Sequence, residues 1–332
     1  MFGIQTGVAI SFMVKKTSSN SAPCKIFYCR RPEDETAEDK LKFLAETKFT
    51  QLNLEHILPD KHNNWINIAD TNFDSLLPLA NKDTKLAKST KDEKAVFKLF
   101  SLGTVTNRDE WVYDFNLNLL MEKVEFFCNT YEQEKERWLN FGKGNLVNNF
   151  VNRVIKWTSE LESHLVKGFK LTYNKKFIID SIYRPYVKKK LYYNRRIIHR
   201  LYQLSQILPN NQVKNKIITF SGTSSSKPFA ALATDKIFSL DTIEKTQCLP
   251  LYRYDKDGNR IDNITDWGLE QFQNYYNDST ITKLDIFHYT YAVLHNPAYR
   301  TKYELNLKRE FPRLPFYNDF GGVVKLLIGL NQ

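Results

Sequence analysis

Cysteine and histidine are scarce and scattered in this chain of 332 residues. Its four cysteines form no Cys-x-x-Cys pair, and its six histidines show no His-x-x-x-His spacing. Structural zinc sites draw their ligands from such closely spaced pairs, so we expect no metal site. Unpaired thiols are typical of proteins in a reducing compartment, and we therefore predict a cytoplasmic location. The cysteines are Cys24, Cys29, Cys128 and Cys248.

The sequence also lacks any run of about eighteen apolar residues, so no membrane-spanning helix is predicted. Lys15 and Lys16 follow the apolar amino terminus rather than precede it, which is the opposite of a secretory signal. The alternating pattern of residues 7–14 instead predicts a buried strand. A chain that begins with a core strand is typical of a piece of a larger fold.

The sequence contains only weak matches to the glycine-rich loops of cofactor-binding enzymes. Neither residues 141–144 nor residues 320–322 follow a strand at the spacing that a loop for S-adenosylmethionine requires. Residues 222–227 are too short for a phosphate-binding P-loop, and Pro228 replaces the Ser or Thr that would bind magnesium. The backbone and hydroxyl groups of that segment can still contact a phosphate.

Catalytic motifs are lacking as well. Residues 296–299, Asn-Pro-Ala-Tyr, differ by one residue from the Asn-Pro-Pro-Tyr motif of amino-methyltransferases. They follow a helix-like run rather than a strand, so we interpret them as a helix stop. The carboxylates of residues 34–35 and 109–110 are sequence neighbours that face opposite sides of a strand, so neither pair forms a two-metal nuclease site. No catalytic residue is assigned.

Positive charge is abundant and unevenly placed. Residues 143–216 hold sixteen lysines and arginines against three acidic residues, while the whole chain has a net charge of +11. A basic block in an otherwise near-neutral chain indicates a polyanionic partner. A solvated basic face and a membrane surface are the alternatives, and the tyrosines within the block favour nucleic acid.

Aromatic and cationic side chains alternate most densely over residues 183–196. Lysine and arginine neutralise phosphates, arginine can read guanine, and tyrosine can stack on bases. Tyr183 and Tyr186 can equally be core residues. A second basic cluster covers residues 300–313, and residues 106–111 either read base edges or form a capped turn. The predicted DNA contacts are Asn107, Arg108, Arg184, Lys188, Lys189, Lys190, Arg195, Arg196, Arg200, Ser224, Lys227, Arg300, Lys308 and Arg309.

Hydrophobic periodicity predicts an α+β fold in which helices mix with an irregular β-sheet. The order of elements is too irregular for a βαβ series. The predicted helices cover residues 32–46, 117–133, 147–165, 267–276 and 281–295. The predicted strands cover residues 25–29, 177–182, 217–220, 229–234 and 249–254.

Five strings of the sequence resemble, in the same order, the carboxy-terminal part of Type ISP restriction-modification enzymes. They are IQTGVAI at 4–10, TNRDEWVYDF at 106–115, YRPY at 183–186, CLPLY at 248–252 and DIFHY through LHNPAYR at 285–300. In that family one long polypeptide carries a nuclease, an ATP-driven translocase, an adenine-specific methyltransferase and a target-recognition domain.

The resemblance implies three regions. Residues 1–29 would be the last strands of a Rossmann-like methyltransferase fold, residues 30–142 a helical connecting region, and residues 143–332 the basic target-recognition domain. The expected function is sequence-specific binding of double-stranded DNA, with no catalysis by this chain alone. A divergent complete DNA adenine methyltransferase and a non-functional gene remnant are the alternatives.

The resemblance also sets expectations for cofactors and partners. S-adenosylmethionine, ATP and magnesium are expected only for the full-length family enzyme, and no cofactor is expected in this chain. The expected partners are duplex DNA and the methyltransferase and helicase–nuclease portions of the same system. No membrane partner is expected.

Overall fold

A computed structural model describes residues 9–15, 24–32, 35–60, 63–66, 71–210 and 213–323. The chain divides into two compact units, Met1–Ile68 and Ala69–Gln332. Neither unit boundary tests the three predicted regions, which stay predictions. The first unit contains β1 (Ile26–Tyr28), α1 (Ala37–Glu46) and β2 (Glu55–Ile57).

Local sequence explains the elements of the first unit. The antiparallel pairing of β1 with β2 confirms the strand predicted over 25–29. Helix α1 begins later than position 32 because Thr36 and Asp39 form a capping box. The Thr36 hydroxyl accepts a hydrogen bond from the Asp39 amide at 3.2 Å, and the Asp39 carboxylate accepts one from the Thr36 amide at 3.1 Å.

The strand predicted over residues 7–14 is wrong where the structure describes it. Residues 9–15 form no strand, and the side chains of Ile10, Phe12 and Val14 are exposed. An alternating pattern forms a strand only where another strand supplies a hydrogen-bonded partner, and no described strand pairs with this segment. Residues 7 and 8 lie outside the described residues.

Short helices and small sheets alternate in the second unit, which agrees with the predicted α+β class. Its helices are α2 (Lys82–Leu86), α3 (Asp109–Val112), α4 (Leu117–Phe141), α5 (Val147–Phe150), α6 (Ser159–Val166), α7 (Leu204–Ile207), α8 (Asp266–Tyr276), α9 (Lys283–His295), α10 (Pro297–Lys302) and α11 (Glu304–Arg309). Its strands are β3 (Leu77–Pro78), β4 (Ser101–Leu102), β5 (Tyr113–Asp114), β6 (Ile178–Arg184), β7 (Val187–Tyr192), β8 (Ile217–Phe220), β9 (Ala231–Thr234), β10 (Ile237–Phe238), β11 (Gln247–Pro250), β12 (Tyr252–Tyr254), β13 (Arg260–Asp262) and β14 (Arg313–Leu314).

Two four-stranded sheets organise this unit. The first has the strand order β10-β6-β7-β5, with β6 antiparallel to β7 and parallel to β10. The second has the order β4-β11-β8-β9 and is antiparallel throughout. The first sheet packs into an apolar cluster with α4, and the second sheet packs into a cluster with α8 and α9. The second sheet also reaches the α4 cluster, through Ile217 and Cys248. The strands predicted over 177–182, 217–220 and 229–234 lie in these sheets.

The long helix α4 illustrates what periodicity predicts well. Leu120, Val124, Phe127 and Tyr131 lie on one face and are each at most 1% exposed. The helix continues past the predicted end at residue 133. Its next turn buries Glu134, whose carboxylate accepts hydrogen bonds from Arg137 and from a backbone amide.

The single helix predicted over 147–165 is wrong in its middle. The structure has α5 and α6 separated by irregular backbone over residues 151–158. The Asn152 side chain accepts a hydrogen bond from the Val154 amide at 3.0 Å, and the Thr158 hydroxyl accepts one from the Leu161 amide. These polar side chains compete with helical hydrogen bonds and start a new helix, which an apolar pattern does not register.

The Asn-Pro-Ala-Tyr tetrad ends helix α9, as interpreted from the sequence, and it also starts α10, which was not predicted. Asn296 ends α9 and caps α10, because its side-chain oxygen accepts from the amides of Ala298 at 2.8 Å and Tyr299 at 3.3 Å. Pro297 occupies the first turn, where no amide is needed. The buried Tyr299 donates its hydroxyl proton to the Arg313 carbonyl at 2.7 Å. The tetrad therefore joins two helices instead of ending a strand.

Candidate nucleic-acid interface

The aromatic and cationic segment 183–196 contains a β-hairpin that the sequence reading missed. Strand β6 ends at Arg184 and β7 begins at Val187, so Pro185 and Tyr186 form the turn. Tyr186 has a φ of +61° and is 89% exposed. Left-handed backbone costs a residue with a side chain about 1–2 kcal/mol. The signal for the hairpin was Pro185 placed between two runs rich in β-branched and aromatic residues.

The lysines of β7 face both sides of this hairpin. Lys188 is exposed and forms no ion pair among the described residues, whereas Lys190 pairs with Asp180 at 2.7 Å. Lys189 points the other way, and its Nζ lies 4.0 Å from the centroid of the Tyr183 ring. The same Nζ lies 4.8 Å from the ring of Phe115, which is 68% exposed. The hairpin therefore presents cations together with accessible aromatic surface.

The two tyrosines of the turn region have different roles. Tyr183 is half-buried, and its hydroxyl donates to the Asp109 carboxylate at 3.0 Å. Burial, followed by the charge of Asp109, raises the pKa of Tyr183. The Arg184 guanidinium lies 4.1 Å from the Tyr183 ring and donates to its carbonyl at 2.7 Å. The Tyr183 side chain thus packs against Asp109 and Arg184, while the Tyr186 side chain is exposed at the tip of the hairpin.

A polar cleft of about 710 Å³ lies beside the hairpin. One wall is the loop from Thr106 to Asp109, in which the Thr106 hydroxyl donates to Asp109 and accepts from the Arg108 amide at 3.2 Å. The loop is therefore a capped turn, one of the two interpretations of this segment. It leaves Asn107 exposed at a φ of +53°, where it remains a candidate contact.

Arg108 is buried, with 1% of its surface exposed, although we predicted it to contact DNA. Its Nη2 donates to the Thr158 hydroxyl at 2.5 Å, while Nε and Nη1 have no hydrogen-bond partner among the described residues. Burial lowers the pKa of Arg108 to about 10, and the charges of Glu160 and Glu110 act in the opposite direction. A DNA contact by Arg108 would require the side chain to move.

A second cleft of about 600 Å³ adjoins the first, and His199 lines both. The exposed side chains of Arg195, Arg196 and Arg200 line it. These three predicted contacts lie directly after β7. The backbone of Arg200 pairs with Val105, which brings them beside the loop that carries Asn107.

The loop of residues 222–227, predicted to contact a phosphate, instead binds a carboxylate of the protein itself. Glu244 accepts hydrogen bonds from the Ser225 hydroxyl at 2.6 Å and from the Ser226 amide and hydroxyl at 3.0 Å each. It also accepts from the Lys227 amide at 3.2 Å. These bonds, led by that of Ser225, lower the pKa of Glu244. The donors are thus already satisfied; only the exposed side chains of Ser224 and Lys227 remain candidate contacts.

The second basic cluster is partly used for structure. Arg300 donates through Nε to the Leu294 carbonyl at 2.6 Å at the end of α9, and Lys308 pairs with Glu304 at 2.7 Å. Arg309 is exposed in the last turn of α11. The Ser224 amide donates to the Lys308 carbonyl at 2.7 Å, so these predicted contacts do lie together.

No group of three or more histidine, cysteine, aspartate or glutamate side chains among the described residues could hold a metal ion, and all four cysteines are free. None of the helices described is long and apolar enough to cross a membrane.

Comparison with known proteins identifies the family. A family model described as the Type ISP C-terminal specificity domain matches residues 95–323. The DrdV chain of a DrdV–DNA complex is 42% identical, with a TM-score of 0.85 over 92% of this chain and 30% of that chain. A search of curated proteins gives no match.

Two Type ISP restriction-modification enzymes are also similar in structure. A nuclease-deletion mutant of LlaGI, in complex with a DNA substrate mimic, is 27% identical, with a TM-score of 0.76 over 92% of this chain and 23% of that chain. The ATP-dependent enzyme LlaBIII, bound to DNA, is 25% identical, with a TM-score of 0.68 over 83% of this chain and 18% of that chain. This chain thus spans less than a third of each of these relatives. The matched residues include both four-stranded sheets, the hairpin and both clefts: the chain belongs to the Type ISP C-terminal specificity domain family.

Proposed function

We propose that this chain recognises a DNA target sequence on behalf of a restriction-modification enzyme. The observation that carries the proposal is the β6–β7 hairpin, with Tyr186 exposed at its tip and the side chain of Lys188 exposed on β7. The solved relatives named above are complexes with DNA or a DNA mimic, which supports the same partner.

The shape of the hairpin suits duplex DNA. The B-DNA major groove is about 12 Å wide and admits a two-stranded ribbon. With the tip in the groove, Tyr186 and Arg184 are placed to meet base edges. The arginines that follow β7 are then placed to contact phosphates on the flank. Phosphate contacts fix the register of the protein, and base contacts specify the sequence.

Binding to a duplex is expected to fall steeply with salt. Each phosphate neutralised by a lysine or arginine releases counterions, and about six contacts cost about a thousandfold in affinity between 50 and 200 mM salt. Fluorescence anisotropy with a labelled duplex, titrated at several salt concentrations, measures the slope. The proposal fails if the chain binds no duplex at low salt, or if its affinity is indifferent to salt.

We further propose that this chain works in the cytoplasm with the methyltransferase and helicase–nuclease portions of its system. S-adenosylmethionine, ATP and magnesium would then be bound by those portions. Isothermal titration calorimetry with S-adenosylmethionine is expected to show no binding to this chain alone. Stoichiometric binding would instead favour a divergent complete methyltransferase.

A further inference from the structure

The second cleft, with a volume of about 600 Å³, has a charge that differs from that of its neighbour. Arg195, Arg196 and Arg200 line it, against the single carboxylate of Glu160. The adjoining cleft instead mixes its cations with several carboxylates. Those are Asp109, Glu110 and Asp241. Of the two clefts, the one with the arginines is therefore the one suited to an anion.

Two of these arginines are available to a ligand. The guanidinium groups of Arg195 and Arg200 are exposed and have no ion pair or hydrogen bond among the described residues. Their backbone is held in place: the amides of Ile197 and Ile198 donate to the Asn194 carbonyl at 2.9 Å each, and Arg200 pairs with Val105. Both isoleucines are buried. The cations thus stand on a fixed segment without a partner of opposite charge.

The cleft also exposes two aromatic rings. Phe169 is 40% exposed and Tyr202 is 38% exposed. Arg196 supports the first ring, because its guanidinium lies 5.2 Å from the Phe169 centroid and donates to the Lys170 carbonyl. Tyr202 has a φ of +49°, a left-handed conformation that few residues other than glycine adopt. A ring held at this position beside free cations can receive the face of a base.

We propose that this cleft binds an unpaired DNA strand, with phosphates on Arg195 and Arg200 and bases against the rings of Tyr202 and Phe169. A base inside a duplex offers its edge to the grooves, whereas only an unstacked base offers its face to an aromatic ring. Grooves that combine cations with aromatic platforms are the general means of holding single strands. The inference deepens the proposed function and rests on it, since it assigns the cleft to a strand that has left the duplex.

The test measures binding of a labelled ten-nucleotide oligothymidine to the full chain by fluorescence anisotropy at low salt. The double substitution Arg195→Ala and Arg200→Ala is expected to weaken binding at least about tenfold, because two phosphate contacts are lost. Tyr202→Asn is expected to weaken it about tenfold through lost stacking, since asparagine tolerates the left-handed backbone. Tyr202→Phe keeps the ring and is expected to bind as the unaltered chain does.

Duplex binding provides the control for the Tyr202 variants, because Tyr202 is not among the proposed duplex contacts. Tyr202→Asn is expected to change duplex affinity less than about twofold, because paired bases hide their faces. The inference is overturned if the chain does not bind oligothymidine, or if Tyr202→Asn binds it normally while its thermal unfolding is unaltered. Oligothymidine binding without any duplex binding would instead overturn the proposed duplex recognition and leave the cleft assignment standing.

Discussion

Charge reversal of Lys188, Lys189 and Lys190 to glutamate is expected to weaken duplex binding by at least about a thousandfold near 100 mM salt. The triple substitution replaces three positive charges on β7, in the hairpin that is proposed to enter the groove, with three negative charges that repel the DNA phosphates. The substitution also removes the exposed ion pair of Lys190 with Asp180 and the contacts of the Lys189 ammonium with the rings of Tyr183 and Phe115, so retention of the fold has to be measured alongside binding. Anisotropy titrations with one duplex measure the effect, and circular dichroism checks that the fold is retained.

A matched control separates position from net charge. Lys88, Lys91 and Lys94 are exposed and lie outside the basic block, so reversing all three changes the charge of the chain equally. We expect this control to lose less than about tenfold in affinity, since charges beyond a Debye length of about 10 Å are largely screened at that salt. Equal losses in the two variants would show that net charge alone drives binding, and would remove the hairpin from the proposal.

Features that depend on near neighbours in the sequence could be predicted. The buried face of α4 follows from the spacing of Leu120, Val124 and Phe127, and the end of α9 before Asn296 follows from the Asn-Pro step. The excess of positive charge over residues 143–216 is a matter of composition alone. Each of these depends on residues a few positions apart.

Features that depend on distant residues could not be predicted. The loop of Ser225 and Ser226 looks ready for a phosphate, but Glu244 lies eighteen positions beyond Ser226 and takes the donors. Arg108 looks like a surface residue, but it donates to Thr158, fifty positions away. The hairpin depends on both kinds of residue. Its turn is indicated in the sequence by Pro185, but the pairing of β6 with β7 is not. The charge pattern predicted a region for the proposed interface, and the fold determines which of its cations are accessible.

Arg108→Met is expected to stabilise the chain by about 1–4 kcal/mol. Burial of a cation carries a desolvation penalty that is offset only by well-placed partners. Replacing buried charges by apolar groups of similar size often stabilises proteins by about 1–4 kcal/mol. The penalty of Arg108 is poorly offset. Thr158 is the one hydrogen-bond partner of its guanidinium among the described residues, and two of the three guanidinium nitrogens have none. The lowered pKa of about 10 reflects the same penalty. Urea unfolding followed by circular dichroism measures the change.

The DNA affinity of the Arg108→Met variant then tests whether this destabilising residue contributes to DNA binding. Buried polar groups without enough hydrogen-bond partners tend to lie at functional sites, since selection for function retains them despite the stability lost. If Arg108 moves into the polar cleft to meet DNA, the more stable variant should bind the duplex at least about tenfold more weakly, because a hydrogen bond to a charged group is lost. Normal binding by a stabilised variant would remove Arg108 from the predicted contacts. A loss of stability would show that Glu110 and Glu160, which raise its pKa, compensate the buried charge.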